Sequence, residues 1–206
     1  MSAMPPLAPT AGPRSLVDRV KSILLQPRSE WVVIDAEPAT IGSIYRYVLI
    51  LAAIPAICRA IRLSTVGFLH FSPFWTARFA ISSYVGALIA VYVLALIIDA
   101  LAPTFGGHKG QIPALKVAAY SATAAWVSGF FTLIPLLGIL ALAGALYSLY
   151  LLYLGLPVLM KAPADRALGY TVVTIIAAIV VFAVVGMIVG RLTGMGAMYS
   201  GYGGYQ

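Results

Sequence analysis

TVVTIIAAIVVFAVVGMIVG, residues 171–190, runs for twenty positions without a charged side chain. At 1.5 Å per residue, a helix of that length reaches about 30 Å, the thickness of a bilayer's hydrocarbon core. No water is present at that depth to hydrogen-bond the backbone, so such a run is helical. Working outward, four more apolar runs of similar length precede it, at 42–61 (with Pro55 inside), 79–98, 116–134 and 136–160. Only the short stretch Ile134-Pro135-Leu136-Leu137-Gly138 separates the last two. One helix over both would have about 45 residues, twice what a crossing needs, so the spacing predicts a tight hairpin. The fold expected is an all-α polytopic membrane bundle of about five transmembrane helices, over residues 41–191.

Composition agrees. Hydrophobic residues make up 62% of the chain and charged residues 9%, against about 25% charged in a soluble domain. There is too little polar surface to face water on all sides, so the outside faces lipid, and the bilayer is the first partner. The net charge of +7 is scattered between apolar runs. That pattern sets topology and excludes a nucleic-acid face, which needs clustered Lys and Arg. Cys58, the sole cysteine, lies inside an apolar run and reads as a small buried residue.

Residues 1–14 are proline-rich and read as a disordered tail, and residues 192–206 as a flexible Gly/Tyr tail. No apolar core of a signal peptide is found in the first 40 residues. Residues 15–40 form an interfacial segment with a short amphipathic helix over 15–25. Ser15 is placed to cap it with Asp18 three residues on, and Pro27 ends it. Leu16, Val20, Ile23 and Leu24 are read as its apolar face, with Arg19 and Lys21 off it. Such a helix lies against headgroups or packs on the protein's own loops. Trp31 suits an interfacial depth. So does the aromatic loop holding Phe68, Phe71, Phe74, Trp75 and Phe79, in which His70 is a lone histidine.

With the N-terminus inside, nine basic residues (Arg14, Arg19, Lys21, Arg28, Arg46, Lys109, Lys116, Lys161 and Arg166) lie on the cytoplasmic face and four (Arg59, Arg62, Arg78 and Arg191) on the other. The positive-inside rule therefore predicts a cytoplasmic N-terminus and, after five spans, an external C-terminus.

Chemistry is sparse. The six acids, Asp18, Glu30, Asp35, Glu37, Asp99 and Asp165, all lie outside the spans or at their ends. No HExxH, CxxC or phosphate loop occurs, so neither catalysis nor a metal or other cofactor is expected. Without an acid at mid-membrane, an ion-coupled carrier is disfavoured. Several residues keep two readings. Arg46 and Arg59 either snorkel to opposite interfaces or line a polar cavity. Asp99 and Lys116 either pair across a hairpin or face water. Tyr147, Tyr150 and Tyr153 either hydrogen-bond between helices or line a groove. Gly186, Gly190 and Gly194 form a small-residue face for packing within the monomer or against another membrane protein, including a second copy.

Phe105-Gly106-Gly107, Ala119-Tyr120, Pro135 and Gly138 at the hairpin, Tyr147-Ser148-Leu149-Tyr150 leading to Gly155, and Lys161 to Pro163 occur in order along residues 101–167. In this the segment resembles the Yip family of five-span membrane proteins, named for interaction with Ypt/Rab GTPases, and bacterial members above all. Leu24, Pro27, Trp31, Ile34 and Glu37 are similar to the lead-in of those members. The resemblance implies five spans, a cytoplasmic N-terminus and the bacterial inner membrane. Eukaryotic relatives bind Rab GTPases, but the chain lacks their Asp-Leu-Tyr-Gly-Pro motif, so that binding is not carried over. Two functions are expected: a membrane-organising or adaptor protein working at its cytoplasmic face, or a channel or carrier for a lipid or small solute. A sealed bundle favours the first. A polar cavity reaching Tyr147, Tyr150 or Arg46 favours transport or lipid handling.

Overall fold

A computed structural model describes residues 15–65 and 73–193. The expectations for the two tails, for Phe68, His70 and Phe71, and for Gly194 lie outside the described residues. Those described form helices with no strand among them: α1 (Leu16–Leu25), α2 (Pro27–Ala36), α3 (Ile41–Thr65), α4 (Pro73–Leu101), α5 (Gln111–Ser121), α6 (Thr123–Ser128), α7 (Gly138–Leu159) and α8 (Ala164–Thr193). Short 3-10 turns follow α4, follow α6 and precede α7. α3, α4, α7 and α8 are each long and apolar enough to cross a membrane. Their outward faces carry Ile81, Ile89, Leu142, Leu146, Ile176 and Phe182, all exposed, as lipid contact requires. The molecule is a helical polytopic membrane bundle.

Local chemistry sets the helix boundaries. Ser15 accepts the Asp18 N–H at 3.2 Å and opens α1. Pro27 stops α1 and starts α2, since a proline at the first helical position needs no N–H. At α3 the caps are reciprocal: the Ser43 N–H donates to Thr40 Oγ1 and the Thr40 N–H to Ser43 Oγ. α3 continues through Pro55 to Thr65, and Gly129 lies against the Pro55 ring, where a Cβ would come within 2.7 Å.

The third apolar run departs from expectation. It is not one helix over 116–134 but α5, α6 and a 3-10 turn over Gly129–Leu133. Hydroxyls compete with the helical ladder here. Thr123 bonds the Tyr120 carbonyl, Ser128 that of Ala125 and Thr132 that of Gly129. Ser148 on α7 accepts the Ala125 N–H at 2.9 Å. Irregular backbone is tolerated at this depth only inside protein. The break at Ala122 meets that condition, because Ser121, Thr123, Ala124, Trp126 and Ser128 are buried, chiefly against α7 and α3, while Phe130 in the 3-10 turn reaches the surface. The segment runs antiparallel to α7. His108, just before α5, donates its N–H to the carbonyl of Met160, just after α7, and the two segments join again at the 134–137 turn.

α1 and α2 are not loose leads into the membrane. Trp31, expected at an interface, is fully buried. Its ring fills a notch at Gly155 of α7, where a Cβ would lie 2.7 Å from Cζ2. α4 and α8 pack at Gly86, which faces Val185 and Val189. A Cβ at Gly186 would meet nothing within 4 Å, so this position does not pack inside the monomer. Cys58 is buried as expected.

The notch generates a test. Gly155→Ala forces Trp31 to move and should destabilise by roughly 1–3 kcal/mol, the usual cost of overpacking. Gly186→Ala should be neutral or slightly stabilising, since alanine favours a helix by about 1 kcal/mol over glycine. Thermal unfolding in detergent reads both. If Gly155→Ala melts with the wild type, the Trp31 contact is not tight.

Candidate functional site

All six acids fall at one end of the bundle: Asp18 on α1, Glu30, Asp35 and Glu37 on or just after α2, Asp99 at the end of α4 and Asp165 at the start of α8. Of the described cations, Arg59, Arg62, Arg78 and Arg191 are at the other end. Ionised groups are concentrated where α1 and α2 cover the bundle.

Arg19 on α1 is the centre of this end. It is 6% exposed and its guanidinium forks to Glu30 and Glu37. It also sits over the Tyr120 ring, 5.8 Å from the centroid. Burial alone would lower its pKa, but the hydrogen bond to Glu37 and the charges of Glu37 and Glu30 raise it above the ordinary value. The expectation that Arg19 points away from the apolar face is therefore corrected. It lies three residues after Leu16 and four before Ile23, on the face that α1 buries. Lys21 does lie off that face and is exposed.

Beneath Arg19, Tyr120 packs on Tyr47 with ring centroids 4.8 Å apart, and the Tyr47 hydroxyl and Thr123 Oγ1 are 2.8 Å apart. Lys116 on α5 is buried and donates to the carbonyls of Ile34 and Glu37, each at 2.6 Å. These are unsatisfied carbonyls at the C-terminal end of α2, so the ammonium caps that helix at the negative pole of its dipole. Asp99 is not its partner: it accepts the Gly110 N–H at 2.6 Å. The Tyr147 hydroxyl donates to the Leu24 carbonyl at the end of α1, and Lys161 pairs with Asp35.

The family-motif residues act as scaffold at this end. Phe105 stacks on Tyr170, 5.1 Å between centroids and 7° from parallel, while the Tyr170 hydroxyl bonds the Ile98 carbonyl. Gly106 adopts φ +74°, a left-handed turn that suits glycine. A Cβ on Gly107 would strike the Met160 carbonyl at 2.7 Å. Tyr150 lies against Tyr147 with its own edge exposed. A Cβ at Gly138 would meet nothing within 4 Å, and Pro135 opens the short turn before α7.

Between α1, the α2–α3 link and the start of α3 lies a cleft of about 420 Å³. Arg19, Glu37, Ser43, Arg46, Tyr47 and Tyr120 supply its polar wall, and Leu16 and Ile50 its apolar one. Among the described residues Arg46 has no ion-pair or hydrogen-bond partner, and it is exposed. Arg59 is also exposed, toward the other end of α3. Glu37 Oε1 is buried without a hydrogen-bond partner. The cleft lining thus includes a free guanidinium and a carboxylate of which one oxygen, closed off from solvent, is unsatisfied. Glu30, Ser43 and Tyr47 escaped the sequence reading. The seven-residue spacing of Glu30 and Glu37 was the available signal, since it puts both on one face of α2. Among the described residues, no group of three His, Cys, Asp or Glu is placed to hold a metal.

Comparison with known proteins follows this geometry. Residues 21–185 match the Yip1 domain, from within α1 almost to the end of α8. Over 179 residues the chain is 30% identical to the inner membrane protein YohC of Escherichia coli strain K12, covering 82% of this chain and 92% of that protein. The match to the inner membrane protein YohC of Escherichia coli O6:H1 strain CFT073 has the same identity and coverage. No solved structure matches.

Removing Arg19 leaves Glu30 buried without its guanidinium. Arg19→Leu should therefore cost about 3–5 kcal/mol, as for other buried pairs broken on one side. Arg19→Lys should recover part of this, since an ammonium lacks the fork. Detergent unfolding curves test the order wild type, Lys, Leu. Equal stability of Arg19→Leu and wild type would mean that the pair carries no weight.

Proposed function

The chain belongs to the Yip1 domain family, and we propose that it is a non-enzymatic, membrane-organising protein that engages lipid at its polar end, in a bacterial inner membrane. Its similarity to inner membrane proteins of Escherichia coli supports the location. The observation that carries the function is the cleft reaching Arg46. A sealed bundle was the mark of a pure adaptor, and a cavity at Arg46 the mark of transport or lipid handling. This cleft opens at the surface and its lining ends at Ile50, one turn beyond Arg46. A separate cavity of about 280 Å³, among α4 to α8, is lined by alanines, Trp126, Phe182 and other largely apolar side chains. The two cavities share no lining residue among those described and the second is apolar, which supports lipid engagement over conduction.

The polar end faces the cytoplasm in this reading. α3, α4, the broken α5–α6 segment, α7 and α8 make five crossings, with the C-terminus outside. The nine-to-four division of basic residues supports it. Since α1 is built into the bundle, deletion of residues 1–28 removes Arg19 and the Leu24 carbonyl along with any partner surface. That deletion is thus not a clean test of an adaptor.

Two experiments apply. In a Cys58→Ala background, single cysteines at Lys109 and at Arg166 should be shielded from an impermeant thiol reagent in intact cells, and cysteines at Arg62 and Arg191 labelled. Labelling of all four from one side rules out this topology. Native mass spectrometry of the purified chain should show retained phospholipid that Arg46→Gln loses. A chain that retains none, or a variant that retains as much as wild type, removes lipid engagement at this cleft.

A further inference from the structure

We propose that the cleft holds a phosphodiester lipid headgroup carrying its own N–H or O–H donor: phosphate on Arg46, donor on Glu37 Oε1. This rests on the reading that the cleft engages lipid, and it names the lipid. Three observations meet here. Arg46 lies on the sixth residue of α3, about 7 Å along the helix from its start. An unpaired cation that close to hydrocarbon takes an anionic partner, and phosphate oxygens match the planar fork of a guanidinium.

The charges packed beside the cleft already have partners, and Arg46 does not. Arg19, Lys116 and Lys161 stand against Glu30, Glu37 and Asp35, three positive and three negative groups already in mutual contact through ion pairs or carbonyl bonds. Arg46 lines the cleft with no partner among the described residues, so a phosphodiester gives it one. The second observation is Glu37. Its Oε2 takes one arm of the Arg19 guanidinium, while Oε1 is closed off from solvent with no hydrogen-bond partner and meets a headgroup donor once the carboxylate turns toward the cleft. A buried carboxylate oxygen without a donor is costly, and an ammonium or hydroxyl on the same headgroup supplies one. A quaternary choline has no such hydrogen.

The third observation concerns order along the helix. Ile50 is four residues after Arg46, one turn deeper on the same face, and lines the same cleft. Polar groups lie at the mouth and an apolar wall toward the membrane interior. That is the sequence of a headgroup followed by its acyl chain, and a free anion has no use for the apolar wall.

The test uses the full chain, stripped of lipid in nonionic detergent, titrated with short-chain phosphatidylethanolamine, phosphatidylglycerol and phosphatidylcholine, and with glycerol phosphate. The ethanolamine and glycerol lipids should bind about tenfold more tightly than the choline lipid, the worth of one charge-assisted hydrogen bond. Arg46→Gln should weaken all three lipids by tenfold or more while melting like wild type. Arg46→Lys should fall between. Equal affinity for the choline lipid overturns the Glu37 contact while leaving lipid engagement in place. Glycerol phosphate binding as tightly as its lipid makes the ligand a free anion and overturns the headgroup assignment. Absence of any lipid binding overturns the functional reading as well.

Discussion

Lys116 holds the polar end together. A buried ammonium beneath α2 has no water to turn to, and it finds the last carbonyls of α2 instead. The bond serves both partners. The carbonyls at a helix C-terminus need donors, and the cation needs a negative pole. Once α2 is anchored at that end, its position fixes the rest. Trp31 drops into the Gly155 notch, Glu30 and Glu37 are presented together, and Arg19 of α1 closes over them. The cleft is the space left between this cap and the start of α3.

The same demand explains why the segment after Lys116 is irregular. Hydroxyls of Thr123, Ser128 and Thr132 take carbonyls three residues back, and Ser148 supplies the Ala125 N–H with an acceptor. These bonds satisfy backbone groups near the break. The four continuous helices around it face lipid with large apolar side chains. The start of the broken segment, through Gly129, is mostly buried among these helices, as a bilayer favours, while Phe130 and Ile134 reach the surface.

How far the sequence reveals this differs from residue to residue. The long apolar runs are legible because lipid exposure strips them of charge, and the family resemblance is legible because Phe105, Gly107 and Gly155 hold positions that tolerate little else. The break near Ala122 is not legible locally, since its compensation comes from Ser148, 23 residues ahead of Ala125. Arg19 was legible in principle: its spacing from Leu16 and Ile23 puts it on the buried face, although a charge on that face reads as an error until its carboxylates are known. Arg46 was recognised as having two readings, and only the position of α1 and of the α2–α3 link decides between them.

The docking of α1 and α2 has a consequence for the order of assembly. These helices leave the ribosome first, yet their partners come much later: the Ile34 carbonyl waits for Lys116, 82 residues on, Leu24 for Tyr147, 123 residues on, and Asp35 for Lys161, 126 residues on. At a synthesis rate of about 5–20 residues per second, the last of these delays is on the order of ten seconds. During that interval Arg19, Glu30 and Trp31 belong to a short amphipathic hairpin at the membrane surface. Their burial waits for α5 and α7, so helices made early in the chain are covered late.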